Sequence, residues 1–143
     1  MTQPVHAHPP GLVHRTWAPA AVGVAGATAV AALAVRDPHV PGSWGTCVFY
    51  DGTGLWCPGC GGLRAVNDLT HLDVAGALSS NAVAVVLVVL LAAWWGTWAW
   101  AALTRRTLPW ERWVTPARVY AGLAVVLAFS VLRNLPGLES LGP

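Results

Sequence analysis

Residues 82–103 read AVAVVLVVLLAAWWGTWAWAAL, twenty-two residues with neither a charge nor a proline. As a helix this run is about 33 Å long, enough to cross a hydrocarbon core of about 30 Å. Val and Leu fill its first half. Trp94, Trp95, Trp98 and Trp100 crowd its second, as an aromatic belt at one membrane interface requires.

Two further stretches follow the same pattern. Residues 17–35 carry no charge, and Ala20, Gly23, Ala27 and Ala31 recur three or four apart, a small-residue stripe suited to close helix packing. Arg15 ahead of the run and the pattern Ala32-Leu33-Ala34 near its end also resemble a signal peptide, but a retained helix is the expectation. Residues 117–135 form a third, shorter span whose Arg118 and Arg133 can both snorkel to the interfaces. Over all 143 residues, 55% are hydrophobic and 10% charged, whereas a soluble domain carries about a quarter charged residues. Net charge is +2 with the Arg residues dispersed, so nothing marks a nucleic-acid surface.

Orientation follows from where the Arg residues fall. Arg105, Arg106, Arg112 and Arg118 cluster between the second and third spans against a single Glu111. The connection from 36 to 81 holds Arg36 and Arg64 against Asp37, Asp51, Asp68 and Asp73. By the positive-inside rule the first connection is cytoplasmic and the second extracytoplasmic. The expected architecture is an all-α, multi-pass integral membrane protein of the bacterial plasma membrane. It begins with a disordered cytoplasmic tail (1–16), containing His6, His8 and His14, and three transmembrane helices follow (17–35, 82–103, 117–135). The loop 36–81 lies outside, 104–116 inside, and a short tail (136–143) outside.

All three cysteines, Cys47, Cys57 and Cys60, fall in the outer loop. Leu63, Val66, Leu69 and Leu72 recur at threes after Gly62, predicting a short amphipathic helix at the membrane surface. Asp73 is a cap for a further helical piece that runs into the second span. Cys57 is read at or just before a helix start, with Pro58 as its first residue, where backbone N–H groups and the helix dipole favour thiolate. On this reading Cys57 attacks, Cys60 resolves and Cys47 is a third exchange site, with Pro58, Gly59 and Gly61 shaping the turn. Two alternatives stand beside it. One is a structural disulfide between two of the three. The other is a zinc knuckle, Cys-Pro-x-Cys-Gly being a metal-ligand turn, with Cys47, Cys57, Cys60 and His71 as the four ligands. The corresponding functions are thiol-disulfide exchange and a non-enzymatic membrane adaptor or scaffold. The partners are the lipid bilayer, another membrane or extracytoplasmic protein, or a second copy of the chain; no cofactor is expected unless zinc.

The run GLWCPGCGGLRA at 54–65, followed by His71-Leu72-Asp73, Ala77 and Asn81, resembles a family of small bacterial membrane proteins classed as domain of unknown function 2752. That family carries a Cys-Pro-x-Cys-Gly-x-Thr-Arg-Ala signature. The resemblance covers 47–81 closely and the last two spans loosely, including Arg133-Asn134-Leu135-Pro136. It implies a membrane location and a retained first helix, and no activity. Leu63 stands where the family has Thr, and Ala82 where it has Pro after the Asn, which predicts a straighter second helix.

Charged and amide side chains at the level of the outer surface complete the reading. Charges at membrane depth are costly and usually paired, so Arg64 and Arg133 are each expected beside Asp68, Asp73 or Asn81, fastening the loop helix to the bundle. Ser79, Ser80 and Ser130 have no base beside them, and no span carries a carboxylate in its core.

Overall fold

A computed structural model describes residues 12–107, 113–138 and 141–142 of the chain. Every regular element among them is helical: α1 (Leu12–Val35), α2 (Val48–Thr53), α3 (Gly62–Thr70), α4 (Val74–Thr104) and α5 (Pro116–Leu132). Expectations for residues 1–11, Trp110, Glu111 and Arg112 lie outside the described residues.

Helices α1 and α4 are long and apolar enough to cross a membrane, and only 11% and 17% of their most apolar stretches are buried within the protein. Their greasy faces point outward, the reverse of a core helix in a soluble domain. Helix α1 starts at Leu12 rather than at Trp17, so residues 12–16 are helical instead of belonging to the tail. It also accommodates Pro19 in its interior.

The small-residue stripe of α1 has one residue in a close crossing. An added Cβ on Gly23 would lie 2.6 Å from Trp95 Cζ2 of α4, and the Trp95 indole N–H donates to the Pro19 carbonyl at 2.9 Å. Glycine thus lets the indole lie against the α1 backbone. Gly23→Leu should cost about 1–3 kcal/mol of thermal stability in detergent micelles through overpacking. Gly26→Ala is the control, because nothing lies within 4 Å of its added methyl; equal melting of both variants with wild type would refute the crossing.

Helix α4 is not straight. Asn81 is fully extended (φ −168°, ψ 97°) and divides it in two. The Asn81 side-chain oxygen accepts from Ala84 N–H at 2.9 Å, so Asn81 is the N-cap of the second piece. The kink needs no proline: a side chain that competes for the backbone and restarts the ladder produces it, correcting the expectation of a straighter helix. Past the kink, residues 82–104 run about 35 Å. Ahead of it, Asp73 caps residue 74 onward by accepting from Gly76 N–H at 2.8 Å.

Helix α3 folds back on α4 through a three-residue connection in which Leu72 adopts φ 62°. Ala65 and Ala77 are completely buried where the two helices meet, with Val85, Leu69 and Ala84 around them. The face that packs on α4 is not the leucine stripe. Leu63 and Leu72 are exposed, while Asn67 and Asp68 are buried. The reason is polar: Asn67 Nδ2 donates to the Leu33 carbonyl at 2.7 Å, meeting one of the carbonyls left unpaired at the end of α1. Asp68 accepts from Ser80 Oγ at 2.8 Å and lies 3.3 Å from His39 Nε2.

Candidate functional site

The site is built from the chain between α1 and α3. Cys47 is the N-cap of α2, and Gly54, in the left-handed region at φ 70°, closes that helix by donating to the Tyr50 carbonyl at 2.8 Å. Trp56 then stacks on Tyr50 with ring centroids 4.0 Å apart. The Cys-x-x-Cys turn follows, closed by Cys60 N–H to the Cys57 carbonyl at 3.1 Å and Gly62 N–H to the Gly59 carbonyl at 2.9 Å. Gly61, at φ 81°, makes the left-handed step into α3. Helix α3 therefore starts at Gly62, and Cys57 and Pro58 lie in a turn ahead of it. The expectation that Cys57 sits at a helix N-terminus is corrected; the Gly61-Gly62 pair, which favours a turn, moves the helix start downstream.

Three polar side chains from distant parts of the sequence hold this turn from beneath. Asn81 Nδ2 donates to the carbonyls of Pro58 (2.9 Å) and Cys60 (3.0 Å). Arg133 Nη1 donates to those of Cys57 (2.9 Å) and Cys60 (3.1 Å). Asn134 grips Trp56 as a sheet neighbour would, accepting from its N–H at 2.8 Å and donating to its C=O at 2.9 Å. A turn with carbonyls facing inward has no ladder to satisfy them, and these amide and guanidinium donors supply the missing partners.

The three sulfurs converge. Cys57 Sγ lies 2.8 Å from Cys60 Sγ and 3.4 Å from Cys47 Sγ, and all three are within 4.8 Å of one another. All are free thiols. Three sulfurs so placed can bind a metal ion. Their environments differ. Hydrogen bonding from the Tyr50 backbone N–H, and then contacts with the Cys60 and Cys57 sulfurs, holds the Cys47 thiol below its ordinary range. Burial, reinforced by the neighbouring sulfurs, pushes Cys60 up to about 12. Above the sulfurs opens a cleft of about 450 Å³ lined by Trp44, Tyr50, Trp56, Leu63 and Arg64 along with the cysteines.

The remaining expected residues are distributed as follows. Pro58, Gly59 and Gly61 form the turn, and Asn81 and Arg133 support it. Arg64 flanks the cleft and donates from Nε to the Pro38 carbonyl at 3.4 Å. Asp73 is a helix cap, and Asp68 serves the α3–α4 junction. Among the described residues neither Arg64 nor Arg133 forms an ion pair with a carboxylate; Arg133 instead meets Asn81, one of its expected neighbours, at the shared Cys60 carbonyl. Nor does Arg133 snorkel: it is 2% exposed, its guanidinium 4.9 Å from the Phe129 ring centroid, with Nε and Nη2 buried and without hydrogen-bond partners. His71 is not part of the sulfur cluster; its Nδ1 lies 2.9 Å from the Asn67 carbonyl and 3.1 Å from Thr70 Oγ1. The four-ligand zinc set thus loses its histidine.

Sequence reasoning did not single out Asn134, Asn67 or His39 for these roles. An amide beside an arginine at the end of an apolar helix was the available signal for Asn134. No curated protein and no solved structure matches the chain. Residues 47–95 match the family model described as "Protein of unknown function (DUF2752)", a segment that ends before Arg133 and Asn134. The matched stretch includes the cysteine triad, the turn and the Asn81 kink, and it is similar to that family of unknown function.

Proposed function

We propose that this is a three-span membrane protein that performs thiol-disulfide exchange through Cys47, Cys57 and Cys60 on the extracytoplasmic side. The observation that carries the reading is the set of three sulfurs within 4.8 Å, beside an open cleft. Membrane spanning is supported by the outward-facing apolar surfaces of α1 and α4. Helix α5, with 17 residues, adds about 26 Å as a third span. The Arg105, Arg106, Arg112 and Arg118 cluster favours a cytoplasmic N-terminus and an external cysteine loop.

The thiol environments suggest an order of events that reassigns the roles read from spacing. Cys47 thiolate attacks a substrate disulfide, forming a mixed disulfide as the substrate S–S bond breaks and the leaving thiolate takes up a proton. Cys57 then attacks Cys47 Sγ, releasing the second substrate thiol and leaving a Cys47–Cys57 disulfide. Cys60 in turn attacks Cys57, so the disulfide passes to the inner pair and Cys47 returns as a thiol. Two electrons move from the protein thiols to the substrate disulfide; run backward, the same steps oxidise a substrate dithiol.

The thiolate, not the thiol, is alkylated. A lowered pKa enlarges the thiolate fraction below the ordinary thiol range, whereas a raised one confines it to strong alkali. Reduced protein treated with a membrane-impermeant maleimide should therefore label at Cys47 well before Cys60, and Cys60 should stay unlabelled through pH 9. Oxidised glutathione should convert the triad to a disulfide with loss of two thiols. A triad that stays reduced under oxidised glutathione, or that labels first at Cys60, overturns the reading.

The convergence of the sulfurs also favours a second reading, a structural metal knuckle. Structural zinc is almost always four-coordinate, so zinc here would need a fourth ligand from solvent or from another chain.

A further inference from the structure

The donor set is narrower than a zinc knuckle requires, and beneath the turn lies a charge that no carboxylate among the described residues pairs with. Every side chain of the cluster is a cysteine, and three sulfurs converge. Of the histidines on either side in sequence, His39 faces Asp37 and Asp68 and His71 is engaged by the α3 backbone. Arg133 lies beneath the turn, 2% exposed, and donates to the carbonyls of Cys57 and Cys60. Its Nε and Nη2 have no hydrogen-bond partner. A buried cation with idle donors is costly unless an anion sits close by.

We propose that the reduced triad binds one thiophilic, low-coordinate metal ion of the copper(I) class, with Cys47, Cys57 and Cys60 as the three ligands. Soft thiolates select soft ions, and a monovalent d¹⁰ ion is satisfied by three sulfurs, whereas zinc is left one ligand short. Each thiol that becomes a ligand releases a proton, and the resulting tris-thiolate complex is anionic. Arg133 is the buried positive charge that this complex would face, and Asn81 and Arg133 together fix the backbone from which two of the ligands project. The cleft above the sulfurs gives the ion a route in and out. The proposal refines the metal reading of the site and needs only its reduced state. A protein that fails to exchange disulfides yet binds copper(I) leaves it intact.

The test uses the full chain, purified in detergent, reduced and desalted under anaerobic conditions. Copper(I) buffered by bicinchoninate is offered in competition, and zinc(II) is offered separately against a chromophoric chelator. The expected result is one copper(I) per chain, held more tightly than zinc(II), with three sulfurs in the first shell by X-ray absorption. His71→Ala should leave the affinity unchanged. Arg133→Gln should weaken it about tenfold, the lower end of the usual effect of a ligand-supporting residue, and Arg133→Lys, which keeps the charge, should recover most of the loss. The absorption measurement on the wild-type chain requires no variant to fold. Absence of stoichiometric copper(I), a shell of two sulfurs, tighter zinc(II) binding, or loss of binding in His71→Ala overturns the proposal.

Discussion

Asn81→Ala should melt at markedly lower temperature, losing about 2–4 kcal/mol, and should expose Cys60 to alkylation. Loss of a helix N-cap costs about 1 kcal/mol, and loss of the two hydrogen bonds to the Pro58 and Cys60 carbonyls adds about 0.5–1.5 kcal/mol each. Asn81 is 1% exposed, and among the described residues no other side chain bonds both the restart of α4 and the floor of the cysteine turn. Its oxygen caps Ala84 N–H while its nitrogen holds Pro58 and Cys60. Asn81→Ser separates the two halves of the role: a serine oxygen still caps, but its side chain is too short to span to the turn. It should recover about 1 kcal/mol of stability and none of the protection of Cys60. If Cys60 remains equally protected in both variants, the turn is held by something other than Asn81.

The second large effect is expected at Cys57. Its sulfur is the middle of the set, 3.4 Å from Cys47 and 2.8 Å from Cys60, so both internal transfers pass through it. Cys57→Ser should lower the exchange rate by about 10³-fold or more, as when one member of a reacting set is removed. The substrate should accumulate as a mixed disulfide on Cys47, visible by non-reducing electrophoresis and mass spectrometry. Cys60→Ser should differ, because the first two steps survive and a Cys47–Cys57 disulfide still forms. A Cys57→Ser protein that turns over like wild type would remove the relay.

The helical fold was legible because its cause is local. Twenty-two uncharged residues at 82–103 and a capping aspartate at 73 need nothing distant to be read correctly. The cysteines and the asparagine at 81 were also visible as a group, since their side-chain chemistry is independent of the fold. What escaped was the part made by long-range contact. Arg133 lies 76 residues from the Cys57 carbonyl it binds, and Asn134 lies 78 from Trp56; no periodicity announces either meeting. Of the partners expected for Arg133, it was Asn81 rather than Asp68 or Asp73 that it met, both donating to the inward Cys60 carbonyl without the need to bury a second ion. The placement of Cys57 changed for a related reason. Pro58 reads as a helix start, yet Gly61 and Gly62 defer the helix to Gly62, so a helix terminus no longer singles out Cys57.

Helix α5 buries none of its side chains, and the bonds that tie it to the cysteine segment leave from Arg133 and Asn134 at its C-terminal end. The same two backbone units that carry Cys57 and Cys60 are therefore the anchor of a helix. Any change of state at the sulfurs that shifts those carbonyls does work against α5, and any force that tilts α5 does equal work on the sulfurs. By reciprocity the two are one free-energy balance: a load placed on this helix would register at the backbone that carries the cysteines.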